Sequence, residues 1–213
     1  MKKLFFYPVL DALNDGNIIR SFVAIALKVM GVLSLLAGAY LLIEILKMAF
    51  QLQTDGTIGG LLFAAIFVGT VLAVAQIFWY RAKSVADLGK SAFTVIPIAS
   101  ILFRTAGEVY ATVGVATGVG GCVFIWFSTN NPLGLVPGLG GLLPSASPGT
   151  GFLGGISFLV YVSVASLLVL VFFYFLAEAS SVLVDIARHM RLLVQQGAAR
   201  TERSSAAGAG AGD

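Results

Sequence analysis

Charge is what this sequence has least of. Its 213 residues include 13 Lys and Arg and 10 Asp and Glu, or 11% charged, against about 25% in ordinary soluble domains. From Val109 to Ala177 there is no Asp, Glu, Lys, Arg or His at all. So few charges cannot cover the surface of a water-soluble fold. Apolar residues reach 58%, and a bilayer is the solvent in which such a composition is ordinary. The reading is therefore an all-α integral membrane protein.

Histidine and cysteine are nearly absent. A lone Cys122 excludes an internal disulfide and reads as a small apolar residue. A lone His189 excludes a haem held by two histidines of one chain. A metal site there would need carboxylates, and only Asp185 lies one turn away, so His189 reads as an interfacial polar residue. No nucleophile–base pair or metal set is visible, and the expectation is no catalysis, no metal and no cofactor.

Two nucleotide-binding patterns occur and fail on context. Gly149 to Gly154 matches G-x-G-x-x-G, but no strand precedes it and no acidic residue follows about 20 positions on. Gly89-Lys90-Ser91 resembles the end of a phosphate loop, but its first glycine would fall at Ser84. Nucleic-acid binding is not expected either, because the basic residues are scattered along one interface, where anionic lipids are their partners.

What is present is apolar length. Four stretches meet the roughly 20 residues that a crossing needs: 23–48, 61–80, 109–127 and 152–177. Aromatic residues collect at their ends, as in Phe78-Trp79-Tyr80, Trp126-Phe127 and Phe172 to Phe175, where amphipathic rings favour the headgroups. Eleven of the thirteen positive charges fall before the first span, between the second and third, or after the fourth; Lys28 stands near the same side at the start of span one, and Lys47, at its other end, is the exception. That asymmetry places both termini in the cytoplasm. Leu4 to Leu10, with Pro8 inside it and Asp11 after it, does not match a secretory leader. Residues 1–20 read as an interfacial N-terminal segment and 21–197 as the transmembrane domain.

The connections also carry signals. Ser84-Val85-Ala86-Asp87 reads as a helix-starting box. Residues 93–103 are apolar, too short to span and interrupted by Pro97, which suggests an interfacial helix or a kinked lead into span three. The outer loop, 128–151, is uncharged and rich in Gly and Pro, yet carries Leu135, Leu139 and Leu142. An apolar loop of this kind suggests a partner contact. Span four should continue into the cytoplasm over 178–197. There Val182, Ile186, Met190 and Leu193 form an apolar stripe, with Ile186 and Met190 as candidate partner contacts. Residues 198–213, rich in Ala, Gly and Ser, read as a disordered tail.

Polar groups in the spans lie near their ends. Glu44 and Lys47 are three apart, and Arg104 and Glu108 are four apart, so each couple can form an ion pair on one helix. Proton and ion paths usually need charge at mid-depth, and none stands there. Small residues recur at packing intervals: Gly31 and Gly38 in span one, Ala65, Gly69 and Ala73 in span two, and Gly114 and Gly118 in span three. Such positions let backbones approach closely in lipid, within this chain or against another subunit.

The expectation that follows is a non-catalytic accessory or scaffold subunit of a larger membrane complex. The alternatives are a small oligomeric transporter or channel, and a membrane anchor or sensor working through the cytoplasmic helix. Expected partners are the lipid bilayer and other membrane subunits or a second copy. The expected location is a bacterial inner membrane.

Overall fold

In hydrocarbon no water satisfies a backbone N–H or C=O, so a crossing segment must pair its own backbone groups. In the computed structural model, residues 17–51, 54–88, 95–127 and 151–209 are described. Apart from two residues closing the second helix, all of these are helical. The helices are α1 (Asn17–Gln51), α2 (Thr54–Ala86), α3 (Val95–Phe127) and α4 (Gly151–Ala209). All four are long and apolar enough to cross a membrane. The shortest, at 33 residues, is about 50 Å long and exceeds a hydrocarbon core of about 30 Å.

Consecutive helices pack as antiparallel neighbours. Arg20 of α1 meets Leu88 beyond the end of α2, and Ser100 of α3 meets Ala177 of α4. These contacts define one end of the molecule, here called the basic end. At the other end a Cβ on Gly60 would touch Ala49, and one on Gly59 would touch Phe127. The helices form an open row and not a closed bundle. α1 packs on α2, α2 on α3 and α3 on α4; α1 only brushes α3, and among the described residues the backbone of α4 comes close to that of neither α1 nor α2. α3 is consequently the central helix. Half of its spanning window is buried, against 17%, 22% and 17% for α1, α2 and α4.

Two apolar clusters hold the row. Near the basic end Ala24, Leu27, Val74, Phe78 and Val85 pack with Ile98. Near the opposite end Ile45, Phe63, Phe124, Phe158 and Val162 do so. Elsewhere the large apolar side chains face outward, Phe22, Leu36, Leu168 and Phe175 among them. That is the arrangement lipid requires, since lipid tails are as apolar as the side chains themselves.

Two local expectations are corrected, and a choice between two is decided. Ser84 does not start a helix. It lies inside α2 with its hydroxyl donating to the Tyr80 carbonyl at 3.1 Å, a back-bond that lets serine sit in a helix. α2 then closes with the Asp87 N–H donating to the Lys83 carbonyl. Of the two readings of residues 93–103, the described part supports the lead into span three: residues 95–103 are the first turns of α3. Pro97 stands in the first turn, where N–H groups have no intrahelical acceptor, so its missing donor costs nothing there. Finally, α4 does not stop near Gly197 but stays helical through Ala209. This stretch is rich in alanine, the best helix former. At its start Gly151 has φ +80°, a conformation that side chains resist. Residues 1–16 of the N-terminal segment and the loop holding Leu135, Leu139 and Leu142 lie outside the described residues, while residues 17–20 are the first turn of α1.

Candidate functional site

The polar groups of the described helices concentrate at the basic end. Arg81 closes the apolar run of α2, Glu108 opens that of α3, and Tyr174 ends that of α4, so helix geometry sets the three at one depth. Arg81 donates to both carboxylate oxygens of Glu108, from Nε to Oε2 at 3.0 Å and from its terminal nitrogen to Oε1. The Tyr174 hydroxyl donates to Oε1 at 2.8 Å. Glu108 therefore ties α2 to α4, whose backbones do not come close to one another. The ionic couple is mostly sheltered, with side chains 16% and 22% exposed. Two-pronged arginine–carboxylate pairing is the strong geometry for such a site.

This overturns the expected Arg104–Glu108 pair. The two lie one turn apart on α3, but the carboxylate turns to Arg81 and Tyr174. Arg104 lies instead with its guanidinium carbon 5.6 Å from the centre of the Tyr174 ring. Its Nε is buried without a hydrogen-bond partner among the described residues. The Glu44–Lys47 pair does form, at 2.8 Å, on an exposed surface, where such pairs contribute little.

Arg20 was not singled out by sequence reasoning. It is 8% exposed and donates to the Leu88 carbonyl just past α2, where the negative end of a helix dipole favours a cation. The signal that would have found these residues is shared depth. Arg20, Arg81, Glu108 and Tyr174 all flank apolar runs at the same end of four antiparallel helices.

The small-residue positions divide. A Cβ on Gly38 would stand 2.5 Å from Val71 Cγ1, and one on Gly31 would stand 2.8 Å from Trp79 Nε1. Gly118 faces Ser163 and the Leu159 carbonyl of α4. These three sit where helices of this chain meet. Gly114 is buried beside a cavity. Ala65 is exposed, Ala73 is half-buried, and a Cβ on Gly69 would meet nothing within 4 Å. The Ala65–Gly69 face thus points away from the described chain. Gly121, another small residue of span three, stands against Phe158; the close approach of Gly155 to Trp126 was not singled out as a packing site.

Two cavities lie between the clusters. One of about 230 Å³ sits among α1, α2 and α3, with Ser34, Thr70 and Thr117 in its wall. Each of those hydroxyls donates to a carbonyl of its own helix, so the wall offers no free donor. The other, of about 460 Å³, opens where α1 and α4 fail to meet, over Leu27, Val109, Val113 and Phe173. Linings of this kind suit an apolar guest and offer an ion nothing to replace its hydration. Among the described residues no group of three His, Cys, Asp or Glu could hold a metal. His189 is exposed, with Nδ1 2.8 Å from the Asp185 carbonyl.

Beyond the basic end α4 continues without another described element packed against it. Ile186 and Met190 are 55% and 63% exposed, and Val182, Leu183 and Leu193 are exposed beside them. No protein-family model, curated protein or solved structure matches this chain.

Proposed function

We propose that this protein is a non-catalytic accessory or scaffold subunit of a larger membrane complex. One observation carries the reading. α4 is 59 residues long, or about 88 Å, roughly three times the thickness of the hydrocarbon core. Past the membrane it presents Ile186, Met190 and Leu193 with no described element of the chain covering them. Such a stripe is expected at a contact surface and is a liability on a free-standing helix in water.

The reading extends to orientation and place. Both termini and the 81–104 connection face the cytoplasm of a bacterial inner membrane, supported by the clustering of basic residues at that end. The outward Ala65–Gly69 face supplies a second contact, within the membrane, for a neighbouring subunit. The transporter alternative draws on the two cavities, but their apolar walls disfavour an ionic substrate.

The test is gentle extraction of the full chain, followed by native sizing and identification of what travels with it. The wild type should run as a discrete stoichiometric complex with unlike subunits. Ile186→Lys with Met190→Lys should release the chain from that complex while leaving it folded and inserted. A monomer in both cases would overturn the reading.

A further inference from the structure

The misplaced partner of Glu108 leaves a cation behind. Glu108 has two oxygens, and both are engaged by Arg81, one of them by Tyr174 as well. Arg81, Arg104 and Glu108 together carry a net charge of +1. Arg104 forms neither of the two ion pairs among the described residues. It is half-buried and lies over the Tyr174 ring. A half-buried guanidinium without an anion is costly, and a ring beneath it holds it in place but does not neutralise it.

Its depth identifies what is within reach. Trp126 and Phe127 mark the far interface, exposed at the end of α3. Counting back about 20 residues for the hydrocarbon core ends the crossing near Gly107. Arg104 stands one turn further, at headgroup level. It shares the strip of α3 with Glu108, between α2 and α4, whose backbones do not come close to one another. The planar fork of arginine matches the oxygens of a phosphate.

We propose that Arg104, shelved on Tyr174, is a binding site for the phosphate of an anionic phospholipid. The lipid supplies the negative charge that Glu108, already committed to Arg81, does not. The site is distinct from the diffuse attraction of exposed basic residues, because its cation is fixed against a ring and its neighbouring charges are already paired. It is independent of the stripe on α4 that carries the scaffold reading.

The full chain is reconstituted in bilayer discs of equal phosphatidylglycerol and phosphatidylcholine, released, and its retained lipids counted by native mass spectrometry. The wild type should retain phosphatidylglycerol preferentially. Arg104→Gln should cut that preference about tenfold, the factor expected for the loss of one charge-assisted hydrogen bond to a phosphate. Tyr174→Leu, which removes the shelf and keeps the charge, should also lower it. Lys83→Gln, an exposed cation at the same end, should leave it unchanged. Equal retention of the two lipids by the wild type would overturn the proposal. So would an equal loss in Lys83→Gln and Arg104→Gln, which would assign the preference to diffuse charge. Should Arg104→Gln fail to fold, the contrast between Tyr174→Leu and Lys83→Gln decides the matter.

Discussion

The two hairpins of this protein are held by different means. In α1–α2, glycines meet side chains, Gly38 against Val71 and Gly60 against Ala49. Hydrogen bonds between those helices' ends are Arg20 to the Leu88 carbonyl and Thr57 to the Ala49 carbonyl. Glycines meet rings in both hairpins, Gly31 on Trp79 in the first and Gly121 on Phe158 and Gly155 on Trp126 in α3–α4, so the difference lies in the polar ties. Polar ties in α3–α4 run from Ser100–Ala177 through Glu108–Tyr174 to Trp126–Phe152, where the two rings also stack. In lipid there is no hydrophobic force between helices, so close contact and hydrogen bonds must do the joining. The contrast indicates that α3–α4 is the more firmly built hairpin, with Glu108 extending its grip to α2.

The largest test of this contrast is Glu108→Ala. It strands a sheltered Arg81 and frees Tyr174, and should cost about 3 kcal/mol. Unfolding in detergent micelles measures it; a loss no greater than that of an exposed ion pair would remove the distinction between the hairpins. Gly121→Val comes next. Its Cβ would lie 2.4 Å from Phe158 Cε1, inside a core where Phe158 is 1% exposed. The ring cannot swing out to water, and overpacking should cost about 2 kcal/mol, read in the same assay. Smallest is Gly69→Ala, where nothing lies within 4 Å. The isolated chain should be unchanged or gain up to about 1 kcal/mol of helix propensity. If the same change weakens co-purification with other subunits, the outward face of α2 is a contact surface.

Much of the architecture was legible from the residues. Four apolar runs separated by polar or Gly/Pro-rich connections give four spans, because transfer into lipid is nearly additive along about 20 residues. The Glu44–Lys47 pair was legible for a similar reason, since one helix fixes both partners. Gly31 and Gly38 were legible as close-approach positions, but Gly69, with the same local pattern, points outward. Spacing tells which residues share a face and not what that face meets. Ser84 misled because serine fits both a helix cap and, by bonding back to the preceding turn, a helix interior, and its neighbours decided which.

The sequence by itself determined the medium, the number of crossings and the concentration of charge at one end, all of which follow from local sums of side-chain transfer energies. Only the tertiary structure decided that the helices form an open row around α3, and that Glu108 takes Arg81 and Tyr174 in place of Arg104. Those partners stand 27 and 66 residues away. A carboxylate between two cations chooses by distance and fork geometry across helices, and no spacing along one helix encodes that.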